Sequence, residues 1–275
     1  MNTRSRVLVW LDPNAPQEAS LQVLEGLVTG ASPEILGLFV EDINLLLVSG
    51  MSVAREVTFE GTAVRQLDPE RIEQRFRAHA ARMRSLFEKA VRALNARHSF
   101  RVTRGELRAE LLKTAADFDT LVLSHSRHHF GTRLSIRAQL GELLVRGPRT
   151  LVLVQERWRT GQSVAVMFDG SPTAEAALRT AAALADSERV NLSIWLPAAE
   201  ADTGAKLRAQ AEELLGDARN LRFRTVAADD TQAIFRAADA EGVRALILPG
   251  ADAEATTRMV PALLDRLSCS LIIVR

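Results

Sequence analysis

Short runs of apolar residues of about strand length alternate along the chain with longer stretches in which apolar positions recur every three or four residues. "VLVWL" (7–11) is the first such run, and "EILGLFVED" (34–42) reads as a second strand. "SFRVTRG" (99–105), "TLVLS" (120–124) and "TLVLVQ" (150–155) supply a third, fourth and fifth. Unbroken apolar runs of this length fit strands buried on both faces of a parallel sheet. Asp68-Pro69 offers an N-cap and a first-turn proline, so a long helix is expected to start there. Its Ile72, Phe76, Ala80, Met83, Phe87, Val91 and Leu94 form one stripe, with arginines and glutamates elsewhere, so one face should pack on a sheet. "ELRAELLKTAADF" and "IRAQLGELLVRG" read as the helices before and after the fourth strand.

The same order then recurs. Laying "VLVWLDPNAPQEASLQVLEGLV" (7–28) over "VAVMFDGSPTAEAALRTAAALA" (164–185) without a gap places Asp12 on Asp169, Glu18 on Glu175, Ala19 on Ala176 and Leu21 on Leu178. Both copies read βαβαβαβαβ, as a tandem duplication would. Strands alternating with helices predict parallel sheets covered on both faces and joined by right-handed crossovers. The expected division is one domain over 1–155 and a shorter one over 163–275, linked by "ERWRTGQ" (156–162). Much of the extra length of the first copy lies in 43–67, read as a hairpin or short helix covering its own domain, with a subunit interface or a ligand lid as alternatives.

Composition narrows the class further. With 275 residues, 47% hydrophobic and 25% charged, the chain is long enough for two globular domains. A net charge of +1 gives no global attraction to nucleic acid or anionic lipid, so neither is an expected partner. Cys269 is the single cysteine, which rules out internal disulfides and cysteine-built zinc sites and fits a reducing compartment, the cytoplasm by default. The opening "MNTRSRVLVWLD" holds too short an apolar run for a signal sequence, and no run reaches the ~18 residues of a membrane span.

Two copies of this order, each opening on an apolar strand that ends in Asp and a serine- or proline-containing turn into a helix, resemble the universal stress protein family. "VAVMFDGSPTAEAAL" carries the likeness most specifically, because the family opens with a strand, D-x-S and an alanine- and leucine-rich helix. "CSLIIVR" is similar to its final strand, although Cys269-Ser270 stands where Cys-Pro is common, and "VWLDPN" resembles the tandem branch. The resemblance implies an α/β fold of the adenine nucleotide alpha hydrolase-like, Rossmann-like kind: two tandem doubly wound parallel five-stranded sheets, each in strand order 3-2-1-4-5. It also implies two domains packed face to face. Ligands of such sheets sit at the topological switch between strands one and four. Asp12 with the loop after Leu123 should line one crevice, and Asp169 with the loop after Leu248 the other.

ATP-binding members carry G-x2-G-x9-G-[ST] after strand four, where glycines let the backbone approach the phosphates and a helix N-terminus favours anions. Here Ser124 and Arg127 occupy the first two glycine positions of the first copy. In the second, Gly250 could be the first glycine, but Glu254 follows with no further glycine and the connection is shorter. A carboxylate facing a polyphosphate is unfavourable. The candidate cofactor-binding residues are therefore Asp12, Ser124, His125, Ser126, Arg127, Asp169, Ser171 and Gly250, in degenerate nucleotide crevices. His125, His128 and His129 lack a fourth ligand and adjacent loop histidines rarely converge, so no metal is expected. Five arginines between 127 and 149 against Glu142 favour an anion over a metal. His79 and His98 read as structural.

No G-x-S-x-G elbow and no histidine near Asp169 and Ser171 point to catalysis, so no catalytic residue is named and no enzyme is expected. In the simpler reading Asp169 braces the turn and Ser171-Pro172 starts the helix. The expected function is a cytoplasmic, non-enzymatic stress-response or regulatory protein acting through protein partners or self-association, with no cofactor and ATP binding lost. The alternative is a sensor binding an anionic small molecule or nucleotide in the first crevice, and a hydrolase or nucleotidyl-transferring enzyme is the third.

Overall fold

Strands buried on both faces must be covered on both faces, and the computed structural model meets that need with one ten-stranded sheet that runs through both halves. It describes the chain apart from residues 1–4, 14, 16, 29–32, 50–54, 58–63, 67, 126–135, 156–161, 198–200, 217–220 and 251. The first half runs β1 (Arg6–Trp10), α1 (Glu18–Gln22), α2 (Leu24–Leu27), β2 (Glu34–Asp42), α3 (Ile43–Ser49), β3 (Arg55–Val57), β4 (Val64–Gln66) and α4 (Pro69–Val91). It continues with β5 (Arg97–Gly105), α5 (Leu107–Ala115), β6 (Thr120–His125), α6 (Ile136–Arg146) and β7 (Thr150–Gln155). The second half runs β8 (Ser163–Met167), α7 (Pro172–Glu188), β9 (Asn191–Pro197), α8 (Ala201–Leu215) and β10 (Leu221–Val226). It closes with α9 (Thr231–Ala240), β11 (Val243–Pro249), α10 (Ala253–Arg266) and β12 (Ser270–Val274).

The strand order is β10-β9-β8-β11-β12-β7-β6-β1-β2-β5. Each half therefore has the expected 3-2-1-4-5 order with parallel neighbours. The halves do not pack face to face. They join edge to edge, because the fifth strands β7 and β12 pair antiparallel, with Ile272 opposite Val152 and Ile273 opposite Leu151. A fifth strand that is apolar on both faces cannot be left as an edge, and its counterpart in the other copy is the matching partner. The antiparallel seam reverses strand direction from one half to the other, so their carboxyl ends, and hence the two crevices, open at opposite ends of the sheet.

Alternate side chains of the strands feed two apolar layers that cross the seam without a break. One holds Val7, Val9, Val152, Val164, Ile247 and Ile272 beneath α1, α2, α4, α7 and α8. The other holds Leu8, Leu121, Leu151, Ala165, Leu246 and Ile273 beneath α5, α6, α9 and α10. Arg275 closes the seam: its amide donates to the Arg149 carbonyl at 2.8 Å, and its guanidinium donates to the carbonyls of Leu144, in the last turn of α6, and Gly147, just past it. Burial lowers its pKa from the usual arginine value. The free edges β5 and β10 are half-exposed and carry Arg97, Arg101 and Arg104, and Arg222 and Arg224, charges that oppose pairing with another sheet.

The helix stripe read in the sequence is the buried face of α4: Ile72, Phe76, Met83, Phe87 and Val91 are buried, and Asp68 caps it by accepting the Glu70 amide at 3.0 Å. The 43–67 segment, read as a hairpin or a short helix, holds one of each: α3, which packs on α4 and β5, and the antiparallel pair β3–β4. His98 lies within β5 rather than before it, with its ring edge-on to Phe87. Asp169 and Ser171 precede a single 17-residue helix α7, whereas the corresponding stretch of the first half divides into the short α1 and α2.

Across the seam α2 lies against α7, and the contact is close. A Cβ on Gly26 would stand 2.4 Å from Leu184 Cδ1, and Ser187 Oγ donates to the Glu25 carbonyl at 3.3 Å. A branched side chain at position 26 must displace Leu184 from a buried site. Gly26→Val is expected to lower unfolding stability by about 1–3 kcal/mol, measured by urea denaturation with unchanged m-value.

Candidate functional site

Each crevice forms where the chain leaves a central strand on one side and its neighbour on the other, between β1 and β6 in the first half and β8 and β11 in the second.

In the first, Asp12 follows β1 and Ser124 and His125 end β6. The side chain of Gln17 lies between them, 2% exposed. Its Nε2 donates to the carbonyls of Asp12 at 2.7 Å and Ala15 at 3.0 Å, and its Oε1 accepts from Ser124 Oγ at 3.2 Å. Ser20, fully buried on α1, shares a 2.8 Å hydrogen bond with Ser124. A buried amide with this set of partners is costly to displace, because each polar group left behind would lose its bond. Ser124 is thus buried and hydrogen-bonded to Gln17 and Ser20. His125 continues β6 opposite Gln155, and Ser126 and Arg127, with His128 and His129, lie outside the described residues.

Asp12 has a further neighbour that the helix pattern alone did not single out as part of the crevice. His79, on α4, is half-buried, and its pKa is lowered from 6.5 by burial first and then by Arg75 and Arg82, while Asp12 opposes the shift. The first crevice is thus flanked by a basic stretch of α4.

In the second crevice, Asp169 and Ser171 build the entrance to α7. Asp169 Oδ1 accepts the Ser171 amide at 3.0 Å, and Ser171 Oγ accepts the Ala174 amide at 3.1 Å, so Ser171 is the N-cap and Pro172 the first-turn proline. Gly170 between them has φ +80°, the left-handed region open to glycine. Gly250 donates its amide to the Val274 carbonyl at 2.7 Å, and a Cβ there would stand 2.8 Å from Ile273. Its small size serves packing against β12.

The N-terminus of α10 is where a phosphate would meet backbone amides. There Asp252 Oδ1 accepts from Glu254 and Ala255, both at 2.9 Å, and Thr256 Oγ1 donates to the Asp252 carbonyl at 2.6 Å. The helix end is satisfied by the chain's own carboxylate. Behind it lies a cavity of about 250 Å³ lined by Met167, Phe168, Asp169, Leu248, Asp252 and Met259, among others. Gln17, Ser20 and Asp252 are site residues that the motif comparison passed over. Asp252 was visible as an N-cap ahead of a helix, whereas nothing local in the sequence marked Gln17 or Ser20. Among the described residues no three His, Cys, Asp or Glu side chains gather as a metal site.

No family model matches the chain, and no curated protein does. Solved structures do. A universal stress protein from Archaeoglobus fulgidus aligns with TM-score 0.65 and 15% identity over 98% of this chain and 96% of its own. A Pseudomonas aeruginosa protein described as a universal stress protein aligns with TM-score 0.56 and 14% identity, over 98% and 92%. The cytoplasmic domain of a prokaryotic cation chloride cotransporter aligns with TM-score 0.52 and 12% identity, over 98% and 95%. The chain has the universal stress protein fold in tandem.

Two outcomes follow from the geometry. Asp252→Asn, which keeps the capping oxygen, should leave stability nearly unchanged, while Asp252→Ala should cost about 1 kcal/mol in urea denaturation. His79 should titrate below 6.5 by NMR, and lower still in Asp12→Asn, which removes the opposing charge. With a depressed folded-state pKa, the unfolded chain binds the proton more readily, so stability falls as pH drops from 6.5 to the folded value and is flat on either side. His79→Gln should remove that component of the pH profile.

Proposed function

We propose that the protein is a cytoplasmic, non-enzymatic stress-response or regulatory module that acts through protein contacts and has lost ATP binding in both halves. The observation that carries this reading is the N-terminus of α10, where Asp252 takes the Glu254 and Ala255 amides that a phosphate would need. A triphosphate arriving there would have to displace a fixed carboxylate while facing the charge of Glu254. The buried Gln17–Ser124–Ser20 network supports the same reading in the first half, since it consumes the polar groups at the end of β6.

The protein-contact mode draws support from the fold. The same architecture forms the cytoplasmic domain of a cation chloride cotransporter, one module within a larger protein. No helix among the described residues is long and apolar enough to cross a membrane. A second reading keeps the first crevice as a sensor of an anionic small molecule, and the observation favouring it is the basic flank of Arg75, His79 and Arg82 beside Asp12.

Calorimetric titration with Mg-ATP separates these. No binding heat up to about 1 mM ATP is expected, and a micromolar dissociation constant would overturn the proposal. A rise in melting temperature with phosphate-bearing metabolites that disappears in Arg75→Gln would establish the second reading in its place.

A further inference from the structure

The second crevice has kept its cavity while its anion positions have been taken over, and the cavity's shape and charge specify a different occupant. We propose that it binds a compact, single-ring organic ammonium ion, with the apolar body inside and the charged head at the carboxylates of Asp169 and Asp252. This rests on the reading that the crevice no longer accepts phosphate.

Size comes first. About 250 Å³ is below the usual range for drug-sized pockets. A ring with a short chain fits that space. The walls suit the ring. Met167, Phe168, Ile234, Leu248 and Met259 line the cavity, and methionine sulfur is polarizable and adaptable against an aromatic face. Burying an apolar body there releases water from an apolar surface.

The sign of the head group follows from the mouth. Among the described lining residues, the ionisable ones are Asp169 and Asp252, both exposed to solvent. One oxygen of each is tied to backbone amides of its own turn, Ser171 for Asp169, and Glu254 and Ala255 for Asp252. The carboxylates are thereby held in place without being neutralised by a cationic side chain lining the cavity. Holding them in advance lowers the ordering cost on binding. An ammonium group gains from both, a hydroxyl gains less, and a carboxylate or phosphate is repelled.

The test uses the full chain labelled with methyl-13C methionine. Of the five methionines, Met167 and Met259 line the cavity and Met83 is buried in the first-half core, so the methyl spectrum contains its own control. The probes are phenethylamine, phenethyl alcohol and phenylacetate, which share the ring and differ in charge. Phenethylamine should shift the Met167 and Met259 signals, leave Met83 in place, and bind about fivefold more tightly than the alcohol, with phenylacetate weaker again. Asp169→Asn/Asp252→Asn, which preserves the turn and cap geometry, should abolish the preference for the ammonium. Unmoved Met167 and Met259 signals with all three probes would overturn the proposal, as would equal affinity for amine and alcohol, or a preference that survives in the double variant. ATP titrated in parallel distinguishes the two levels. Shifts with ATP would remove the loss-of-phosphate reading itself, whereas silence with both ATP and phenethylamine removes only the ammonium site.

Discussion

The antiparallel pairing of β7 with β12 is the constraint from which the rest of the architecture follows. Each strand is apolar on both faces, and each would be the exposed fifth strand of a separate sheet. Joined, they turn two five-stranded sheets into one of ten strands and let both apolar layers run from one half into the other. The halves are consequently not free to move as separate bodies without breaking a shared core. The remaining edges, β5 and β10, are those whose sequences carry arginines at intervals, so the charge lies where no partner strand is present among the described residues.

The seam also sets the two crevices apart. Because strand direction reverses across it, they open at opposite ends of the sheet and cannot share a ligand. Each has diverged by its own chemistry. In the first, neutral side chains close upon one another, with Gln17 bridging the turn after β1 to the end of β6. In the second, a carboxylate caps the helix that would otherwise attract an anion, and the space behind it stays open. One crevice is filled by hydrogen bonds. The other keeps a cavity with Asp169 and Asp252 in its lining.

Much of this was legible in the sequence because it depends on local period and local chemistry. Runs such as 34–42 and 150–155 are strands at the stated limits, the stripe from Ile72 to Val91 is the buried face of α4, and Asp68 and Ser171 cap helices as their residue types require. The edge-to-edge joining was not legible. A strand apolar on both faces reads identically whether its neighbour is a parallel strand of the same half or an antiparallel strand of the other, and Leu151 or Ile273 carries no mark of the difference. The Gln17 network was hidden for a related reason: Ser20 and Ser124 are far apart in sequence, and only the pairing of β1 with β6 brings them together. The likeness to glycine-bearing phosphate loops pointed to the loops after β6 and β11, but not to Asp252, which caps α10 and has no counterpart among those glycines.

The central claim is that the α10 N-terminus is satisfied by Asp252 and has no place for phosphate. A crystal structure determined from crystals grown in several millimolar Mg-ATP tests it most directly. The Asp252 carboxylate is expected on the Glu254 and Ala255 amides, with no triphosphate density beside them. Phosphate density on those amides, with Asp252 swung away, would contradict it.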